Sequence, residues 1–517
     1  MQYYTLNELR KYSYDPSRDV VEKGVYVYIH PSGKEPFLVK QLPEGFFEAI
    51  YYSMLSTSVI NRDGYSYSAI FSYRVDGKIV KFCDVASRSG TRGEIIYFPE
   101  PESMTKLLFS LKKNGSITPI YRPLKSLGHE GIYPLPKTLP RRPLLFSTSR
   151  PGFVDLKKKL NLEKKKIEQV GEKYYYIASS SLRDHAFLLG RESLLKKYTA
   201  SKITNAWLKF YETILFLDST FAILPFFGCN SLHVAEAPGN FVCALNHYIN
   251  TKKPVGYRWD WRANTYEDSK GDMGYLSDDL GLIKKYRNKW LLGPSGTGDI
   301  TLKENILSFG KYHLVTSDVK VVSEKDPNYD EEENMNAAVH LGHILVALES
   351  LVIGGTAILK HFTLFESFSH DLITIFASCF EQCFIYKPET SKAGNSEVYL
   401  VGLRFQQNPY GNSLYPILEK IRTEQNYSPK KNIFDSIPKY MEQFLYELQN
   451  QLAENQTEEI SRMVGMAKIL ESKQMEKRDL YGRKGELYFS PQNLSRPRDT
   501  SMAWIEKYRL EKTRVEL

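Results

Sequence analysis

The chain has 517 residues, a formal net charge of +9 and a hydrophobic fraction of 42%. This length predicts two or three domains, and the apolar fraction is sufficient for a sizeable core. No long uncharged apolar run and no N-terminal signal is recognisable, which argues against a membrane-spanning or secreted protein. Because the 5 cysteines are scattered among apolar residues, we predict a reducing, intracellular environment, no disulfide framework and no metal site.

Residues 1–150 are predicted to form a separate α+β region that binds RNA or a protein partner. Val25–Ile29 has the composition of a strand. Two alternating runs within residues 65–85 flank Asp76-Gly77, which is typical of a β-hairpin. Prolines then become frequent between residues 119 and 143, and arginines lie among them, which indicates a basic loop.

Residues 151–174 are predicted to be a charged linker or helix. Their central run, KKKLNLEKKK at 157–166, fits either a solvated helix face or a phosphate-binding strip.

From residue 175 to residue 410 the pattern alternates between strands and helices. Short apolar runs predict strands, and longer runs with apolar residues at helical spacing predict helices. The predicted helices are Leu194–Leu217, the segment that follows residue 240, Asn336–Leu351 and Leu372–Phe380; the predicted strands are the run around Leu232–Ala235, Val255–Trp259, Trp290–Leu292, Tyr312–Ser317, Thr356–Lys360, Cys383–Tyr386 and Val398–Leu403. This alternation predicts a mostly parallel α/β sheet with helices on both faces and ligand loops at the carboxyl ends of the strands.

One stretch in this region, Leu232–Ile249, has the order strand, glycine-containing turn, helix. The turn Ala237-Pro238-Gly239-Asn240 follows Glu236. Such a corner can place backbone N–H groups and a helix N-terminus beside a ligand. Taken alone, it fits an ordinary strand-to-helix connection equally well.

Four charged residues stand where the α/β pattern would place a site. Asp318 and Lys360 end two predicted strands, Glu397 opens the last one, and Lys209 lies in the helix before the first. Such a group could activate a ribose 2′-hydroxyl. A lysine whose pKa is lowered by burial and by a second ammonium group can accept or steer the hydroxyl proton, and carboxylates can orient it.

These four residues and their surroundings resemble the Lys-Asp-Lys-Glu tetrad of the FtsJ-like ribose 2′-O-methyltransferases. The surrounding stretches are NAWLKFYE, HLVTSD, GGTAILKHF and KPETSKAGNSEVYLV. Within that superfamily the chain looks most like the cap-specific mRNA (nucleoside-2′-O-)-methyltransferase 2 group, because HVAEAPGNFVCALNHY, WRANTY and GPSGTGDITLKENI are also shared. The resemblance covers about residues 202–405 and implies a Rossmann-like methyltransferase sheet.

The resemblance also implies roles for particular residues. Lys209, Asp318, Lys360 and Glu397 would be catalytic, with Lys360 as general base or proton steerer. Gly298 and Asp299 would contact the adenine of S-adenosyl-L-methionine, and Asp318 would lie near its methyl group. The corner residues expected to hold the rest of this cofactor are Glu236, Ala237, Pro238, Gly239, Asn240 and Phe241.

One departure from the family pattern follows the second strand. Many Rossmann methyltransferases have an acidic residue there for the ribose hydroxyls of the cofactor, whereas this chain has Arg258-Trp259-Asp260-Trp261. Asp260 is expected to make that contact, or Trp259 to pack on the cofactor.

Residues 411–517 are predicted to form a helical C-terminal region that packs on the core or on a partner. The expected substrate is RNA, and the leading prediction is 5′-capped mRNA that is methylated at a cap-proximal nucleotide. Methylation of ribosomal or transfer RNA, or an inactive RNA-binding subunit of a capping assembly, is the alternative. The N- and C-terminal regions could contact capping or polymerase partners. The expected location is the nucleus or the cytoplasm, or the cytoplasm or the virion if the protein is viral.

Overall fold

The computed structural model describes residues 132–517 apart from 137, 144–149, 182–197, 199–202, 226–227, 268–277, 321–330, 392–393, 424–431, 476–496, 514 and 516, and before residue 132 it describes nine strands. Contacts divide the chain into two compact units. One unit is Met1–His129 with Phe216–Phe227, and the other is Glu130–Leu215 with Gly228–Leu517.

The first unit contains an antiparallel five-stranded sheet in the order β1-β7-β2-β3-β4 and two hairpins, β5–β6 and β8–β9. Its strands are β1 (Ser13–Tyr14), β2 (Val25–Ile29), β3 (Pro36–Gln41), β4 (Phe47–Tyr51), β5 (Ser66–Val75), β6 (Lys78–Ala86), β7 (Glu94–Phe98), β8 (Phe109–Leu111) and β9 (Ile117–Pro119). The predicted strand at Val25–Ile29 and the hairpin around Asp76-Gly77 are confirmed. Residues 120–131 of the predicted proline-rich loop lie outside the described residues.

The second unit is built on a mixed eight-stranded sheet in the order β10-β16-β17-β15-β14-β11-β12-β13. Its strands are β10 (Ile132–Pro134), β11 (Gly228–Val234), β12 (Arg258–Asn264), β13 (Trp290–Leu291), β14 (Tyr312–Ser317), β15 (Leu351–His361), β16 (Phe380–Tyr386) and β17 (Val398–Phe405). Strands β15, β14, β11, β12 and β13 are neighbours in that order, and each pair is parallel. Strand β17 runs antiparallel between β15 and β16, and β10 is antiparallel to β16. The predicted α/β class is confirmed.

The helices of the described residues are α1 (Val154–Lys164), α2 (Glu172–Tyr176), α3 (Asn205–Phe221), α4 (Asn240–Lys252), α5 (Leu282–Lys285), α6 (Lys303–Ser308), α7 (Glu332–Met335), α8 (Ala337–Ser350), α9 (Ser367–Ala377), α10 (Tyr415–Thr423), α11 (Lys439–Ser472) and α12 (Pro497–Lys507). Short 3₁₀ turns occupy Lys165–Gln169, Arg287–Lys289 and Gly411–Leu414, and a π turn occupies Ile177–Ser181. No helix of the described residues is both long and apolar enough to cross a membrane.

Two apolar clusters position the helices. The larger one joins the sheet to α8, α9, α10 and the first half of α11. The second joins α1 to the second half of α11 through Leu156, Leu160, Ile460 and Val464, and it includes Phe365. The predicted helical C-terminal region is therefore present, and α11 packs along the α/β unit.

Several predicted element boundaries differ from those of the structure. The second strand begins at Arg258 rather than Val255, because Pro254 and Gly256 form a turn in which Gly256 adopts a φ of +89°. Helix α9 ends at Ala377 and Phe380 already belongs to β16. Of the predicted helix Leu194–Leu217, residues 194–197 and 199–202 lie outside the described residues.

Candidate active site

The four charged residues predicted to act together lie at one edge of the eight-stranded sheet. Asp318 directly follows β14, and Lys360 is the last residue but one of β15, the parallel neighbour of β14. Glu397 directly precedes β17, which runs antiparallel to β15, so its beginning lies at the same edge. Lys209 reaches them from α3.

Their side chains form one series of ion pairs. The Nζ atom of Lys209 lies 2.5 Å from Oε1 of Glu397. The Nζ atom of Lys360 lies 3.1 Å from Oδ1 of Asp318 and 3.6 Å from Oε2 of Glu397. Lys209, Lys360 and Glu397 are buried, whereas the side chain of Asp318 is 22% exposed. The series therefore reaches solvent at Asp318.

Lys360 is a charged ammonium group in this arrangement. Burial works to lower its pKa, but the carboxylates of Asp318 and Glu397, the hydrogen bond with Asp318 and the charge of Glu332 outweigh burial and raise that pKa above its ordinary value. The expectation of a lowered pKa is therefore wrong. The pKa is raised because several carboxylates surround the ammonium group. The sequence pattern at the end of a single strand does not show how many of them come together.

Glu397 shows the opposite balance. Burial opposes its charge, but the ammonium groups of Lys360 and Lys209 and the hydrogen bond from Lys209 hold the pKa of Glu397 well below its usual range. The hydroxyl of Tyr399 also donates to Oε1 of Glu397 at 3.0 Å. Tyr399 was not predicted as a site residue, although its spacing of two along a strand places it on the same face as Glu397.

Lys387 is a second unpredicted residue at this edge, beside the predicted Lys209 and Lys360. Its Nζ donates to the backbone oxygens of Asn395 and Glu397, at 2.8 Å each, and to Oδ1 of Asn395 at 2.7 Å. Burial, helped by the charge of Lys209, lowers the pKa of Lys387 to about 7 against the attraction of Glu397. The sequence feature that could have indicated a site residue is the position of Lys387 directly after β16 and before Pro388.

Glu212, one turn after Lys209 in α3, binds the start of the loop that runs from β16 to Glu397. Its buried carboxylate accepts from the Tyr386 hydroxyl at 3.0 Å, the Glu389 N–H at 2.6 Å, and the N–H and hydroxyl of Thr390 at 3.0 and 2.7 Å. Helix α3 therefore both supplies Lys209 and anchors the loop that leads to Glu397.

The predicted corner lies at the carboxyl end of β11, next to this group. Gly239 adopts a φ of +117° and ends the turn, and the Ala237–Pro238 bond is cis. One oxygen of Glu236 accepts from the N–H groups of Phe241 and Val242, at 2.6 and 3.0 Å. These N–H groups belong to the first turn of α4, where no carbonyl of the helix is available to them. Glu236 therefore caps the helix from outside it.

Two carboxyl groups share the space at the corner. Burial and, to a smaller extent, the charge of Asp318 raise the pKa of Glu236 well above its ordinary value. The Asp318 N–H donates to the Val234 carbonyl at 3.3 Å, which ties the end of β14 to the end of β11. The corner thus brings two carboxyl groups close together beside the tetrad.

Gly298 and Asp299 lie in a tight turn after β13. Gly298 has a φ of +67°, and a Cβ atom there would meet the Thr265 carbonyl oxygen at 1.9 Å, so no other residue fits. The side-chain amide of Asn264 donates to the Gly298 carbonyl at 2.9 Å, and the Glu236 N–H donates to the Asn264 carbonyl at 2.9 Å. Asn264 was missed by sequence reasoning, and it links the corner to this turn.

Trp259 and Asp260 lie elsewhere. Because β12 runs to Asn264, they are the second and third residues of the strand, and its carboxyl end is at Asn264. Asp260 pairs with Lys289 at 2.5 Å and Trp259 donates to the Ser231 hydroxyl at 2.9 Å. The strand-end placement that motivated their predicted cofactor contact is therefore wrong.

Three buried histidines lie next to Lys360. His340 stacks on His361 with ring centroids 4.2 Å apart, and His343 is 5.4 Å from His340. Burial lowers the pKa of each, to about 4 for His361, so they are neutral at pH 7. Within the described part of the chain, no group of three or more His, Cys, Asp or Glu residues could hold a metal ion.

Comparison with known proteins identifies the central part of the chain. The model of the FtsJ-like methyltransferase family matches residues 203–405. Cap-specific mRNA (nucleoside-2′-O-)-methyltransferase 2 of Pongo abelii is 33% identical over 291 residues, which is 52% of this chain and 35% of that protein. The protein of the same name from Danio rerio is 37% identical over 245 residues, 44% of this chain and 31% of that protein.

A probable methyltransferase of African swine fever virus is also similar, with 32% identity over 229 residues, 41% of this chain and 51% of the viral protein. The chain spans about a third of the length of the two animal relatives and half of the viral one. The matched region contains all four tetrad residues, the corner and the Gly298 turn, and the resemblance drawn from the sequence is confirmed. Residues 203–405 of this chain are an FtsJ-like methyltransferase domain.

Proposed function

We propose that this protein transfers a methyl group from S-adenosyl-L-methionine to a ribose 2′-hydroxyl of RNA, at a cap-proximal nucleotide of mRNA. The observation that carries the proposal is the convergence of Lys209, Asp318, Lys360 and Glu397 into one buried series of ion pairs that opens at Asp318. The capped substrate is supported by the names of the animal relatives. RNA is the proposed partner, and the proposed location is inside the cell, where mRNA is made.

The residues at the corner fit this cofactor. Its sulfonium and amino groups are positive, and the corner offers two carboxyl groups, Glu236 and Asp318, in a space where their negative charges oppose each other. A positive ligand relieves that opposition. We assign the methionine part to the corner from Glu236 to Phe241, the adenine to Gly298 and Asp299, and the neighbourhood of the methyl group to Asp318.

The cofactor supplies an electrophilic methyl group: a bond forms between the ribose oxygen and the methyl carbon as the carbon–sulfur bond breaks. The hydroxyl must then lose its proton, and its oxygen must lie in line with the breaking bond. In the proposed site the Lys360 ammonium, fixed between Asp318 and Glu397, is placed to bind the ribose oxygen and stabilise its developing negative charge.

Lys360 can also take the hydroxyl proton, once its own proton has passed to solvent at Asp318, where the series of ion pairs is exposed. Burial already works in this direction, and the ammonium group of Lys209 is bound to the same Glu397 carboxylate. A positive charge next to Asp318 would weaken the attraction that now raises the pKa of Lys360. A positive ligand there would thereby lower the pKa of Lys360 and favour its role as acceptor, while Lys209 and Tyr399 hold Glu397 in place.

Methyl transfer onto three matched RNAs tests the choice of substrate. The RNAs share one sequence and carry a cap without ribose methylation, a cap with a methylated first nucleotide, or a 5′-triphosphate. We expect incorporation of labelled methyl into at least one capped RNA at a kcat/KM about tenfold or more above that for the triphosphate RNA, a difference of roughly 1.4 kcal/mol. Equal rates on all three would overturn the cap-proximal part of the proposal and favour another RNA target.

A further inference from the structure

We propose that helix α11, which lies outside the matched family region, is a positioning element of the active site. Two of its glutamines, Gln449 and Gln456, hold the loop that follows the strand of Lys360 and the loop that precedes Glu397. The proposal rests on the proposed function for the reaction it serves, but the contacts that carry it do not depend on the identity of the substrate.

Gln449 holds the segment that follows Lys360. We call residues 362–366, between β15 and α9, the post-β15 loop. The N–H of Leu364, four residues after Lys360, donates to Oε1 of Gln449 at 2.7 Å. Leu364 is fully buried and Gln449 is 1% exposed, so water cannot replace this bond. Gln449 therefore fixes the path of the chain directly after the catalytic strand.

Gln456 holds the segment that precedes Glu397. We call the described residues 387–391 and 394–396, between β16 and β17, the pre-β17 loop. Nε2 of Gln456 donates to the backbone oxygen of Gly394 at 2.9 Å, three residues before Glu397. A Cβ atom on Gly394 would lie 3.3 Å from Cε of Met463, so α11 also contacts this loop closely through its apolar face.

The two glutamines form one rigid spacer. They are seven residues apart, which is two turns of an α-helix, so they face the same side at a separation of roughly 10.5 Å along the axis. Gln456 is 4% exposed, and a buried amide is costly unless it is paired. One helix therefore contacts both loops, and it adds to the antiparallel pairing of β15 with β17 that brings their strands together.

Helix α1 reinforces the post-β15 loop from a second direction. The N–H of Phe153 donates to the Phe365 carbonyl at 2.7 Å, and Nζ of Lys157 lies 2.8 Å from Oε1 of Glu366. Helices α1 and α11 share the second apolar cluster, which contains Phe365. The lysine-rich run of the sequence thus begins with a residue bound at the edge of the active site.

The functional consequence follows from the geometry of the ion pairs. Nζ of Lys360 lies 3.6 Å from Oε2 of Glu397 and 3.1 Å from Oδ1 of Asp318. A misplacement of about 1 Å in such a group can cost on the order of 10² in rate. A loop that loses its glutamine is therefore expected to lower the rate of the chemical step without closing the binding site.

One substitution at three positions of α11 tests the proposal. Gln456→Glu keeps the side-chain shape but replaces the donor to Gly394 with an oxygen. Gln449→Glu keeps an oxygen that accepts from Leu364. Gln451→Glu, at an exposed position of the same helix, is the matched control. We expect Gln456→Glu to lower kcat about tenfold or more, with KM for RNA and the cofactor Kd within about twofold of wild type. Gln449→Glu should retain more of the wild-type kcat than Gln449→Met, which loses the acceptor.

A second readout keeps the test decisive. Amide hydrogen exchange of the pre-β17 loop is expected to be faster in Gln456→Glu than in wild type, whereas the Gln451→Glu control should exchange as wild type does. If Gln456→Glu does not fold, Gln456→Met takes its place, and the same faster exchange is expected. Wild-type kcat and unchanged exchange in both Gln456 variants would overturn the inference. If wild-type protein transfers no methyl group to RNA, the proposed function fails, and the exchange comparison still decides whether α11 holds the loop.

Discussion

Replacement of Lys360 by methionine is expected to lower kcat/KM for RNA methylation about 10³-fold while cofactor affinity stays within about threefold of wild type. The side chain removed is the one proposed to contact the ribose oxygen, and the corner from Glu236 to Phe241 is left intact. Methyl incorporation and equilibrium cofactor binding, measured on the same preparation, check the two halves of the result. Lys311→Met is the matched control, because Lys311 is exposed and lies just before β14, at the opposite end of the strand from Asp318.

Lys360→Arg separates the two roles of this lysine. A guanidinium keeps the positive charge but does not lose its proton in the working pH range. If Lys360 must accept the hydroxyl proton, the arginine variant will be about as inactive as the methionine variant. If the variant retains more than about a tenth of wild-type activity, a gap under roughly 1.4 kcal/mol, Lys360 acts through its charge alone.

Replacement of Glu397 by glutamine is expected to affect both activity and stability. Glu397 is buried and lies between the ammonium groups of Lys209 and Lys360. Removing one partner of a buried ion pair leaves the other charge uncompensated and typically costs roughly 3 kcal/mol or more. We expect the free energy of unfolding at pH 7 to fall by about that amount and kcat to fall about 10²-fold or more, since Lys360 loses one of its two fixed contacts.

The pH dependence of this stability difference gives an internal check. The folded-state pKa of Glu397 lies below its unfolded value, which is near 4.3 for a glutamate in an unfolded chain. The stabilisation is therefore complete above about pH 4.3 and is lost as the pH falls from there through the folded pKa. Urea unfolding at several pH values should show the gap between wild type and Glu397→Gln closing in acid. A gap that widens in acid would contradict the assignment of a charged Glu397.

The edge of the sheet that carries the tetrad could be predicted from the sequence because its signals are local. The run Tyr312–Ser317 is short, apolar and followed by an acidic residue, and the structure has β14 at those six residues. Lys360 and Glu397 likewise stand at the ends of apolar runs. Once the strands pair in the order found, these positions meet, and the family resemblance pointed to the same four residues.

Other features depend on distances that the sequence does not contain. The predicted position of β12 is wrong because the residues around Val255 form a turn and the strand begins only at Arg258. Trp259 and Asp260 therefore lie near the beginning of the strand and not at its carboxyl end. The charge of Lys360 depends on Asp318, Glu397 and Glu332 together, and no single motif holds all three.

The contribution of the C-terminal region was also hidden. Gln449 and Gln456 are ordinary helix-forming residues in a polar segment, and nothing in their spacing marks them as partners of Leu364 and Gly394. They lie 85 and 62 residues away from those partners in the chain. Helix α11 was therefore predicted only as part of a helical region that packs on the core or on a partner, and its contacts with the post-β15 and pre-β17 loops required the structure.

The central claim, transfer to a ribose 2′-oxygen, is tested most directly with two capped RNAs that differ only in the 2′-hydroxyls of the first and second nucleotides. One RNA has both hydroxyls and the other has deoxyribose at both positions. With labelled S-adenosyl-L-methionine, digestion and mass analysis, we predict a 2′-O-methylnucleoside from the first RNA and no incorporation into the second. Equal incorporation into both RNAs, or a methyl group on a base or on the cap guanine, would contradict the account.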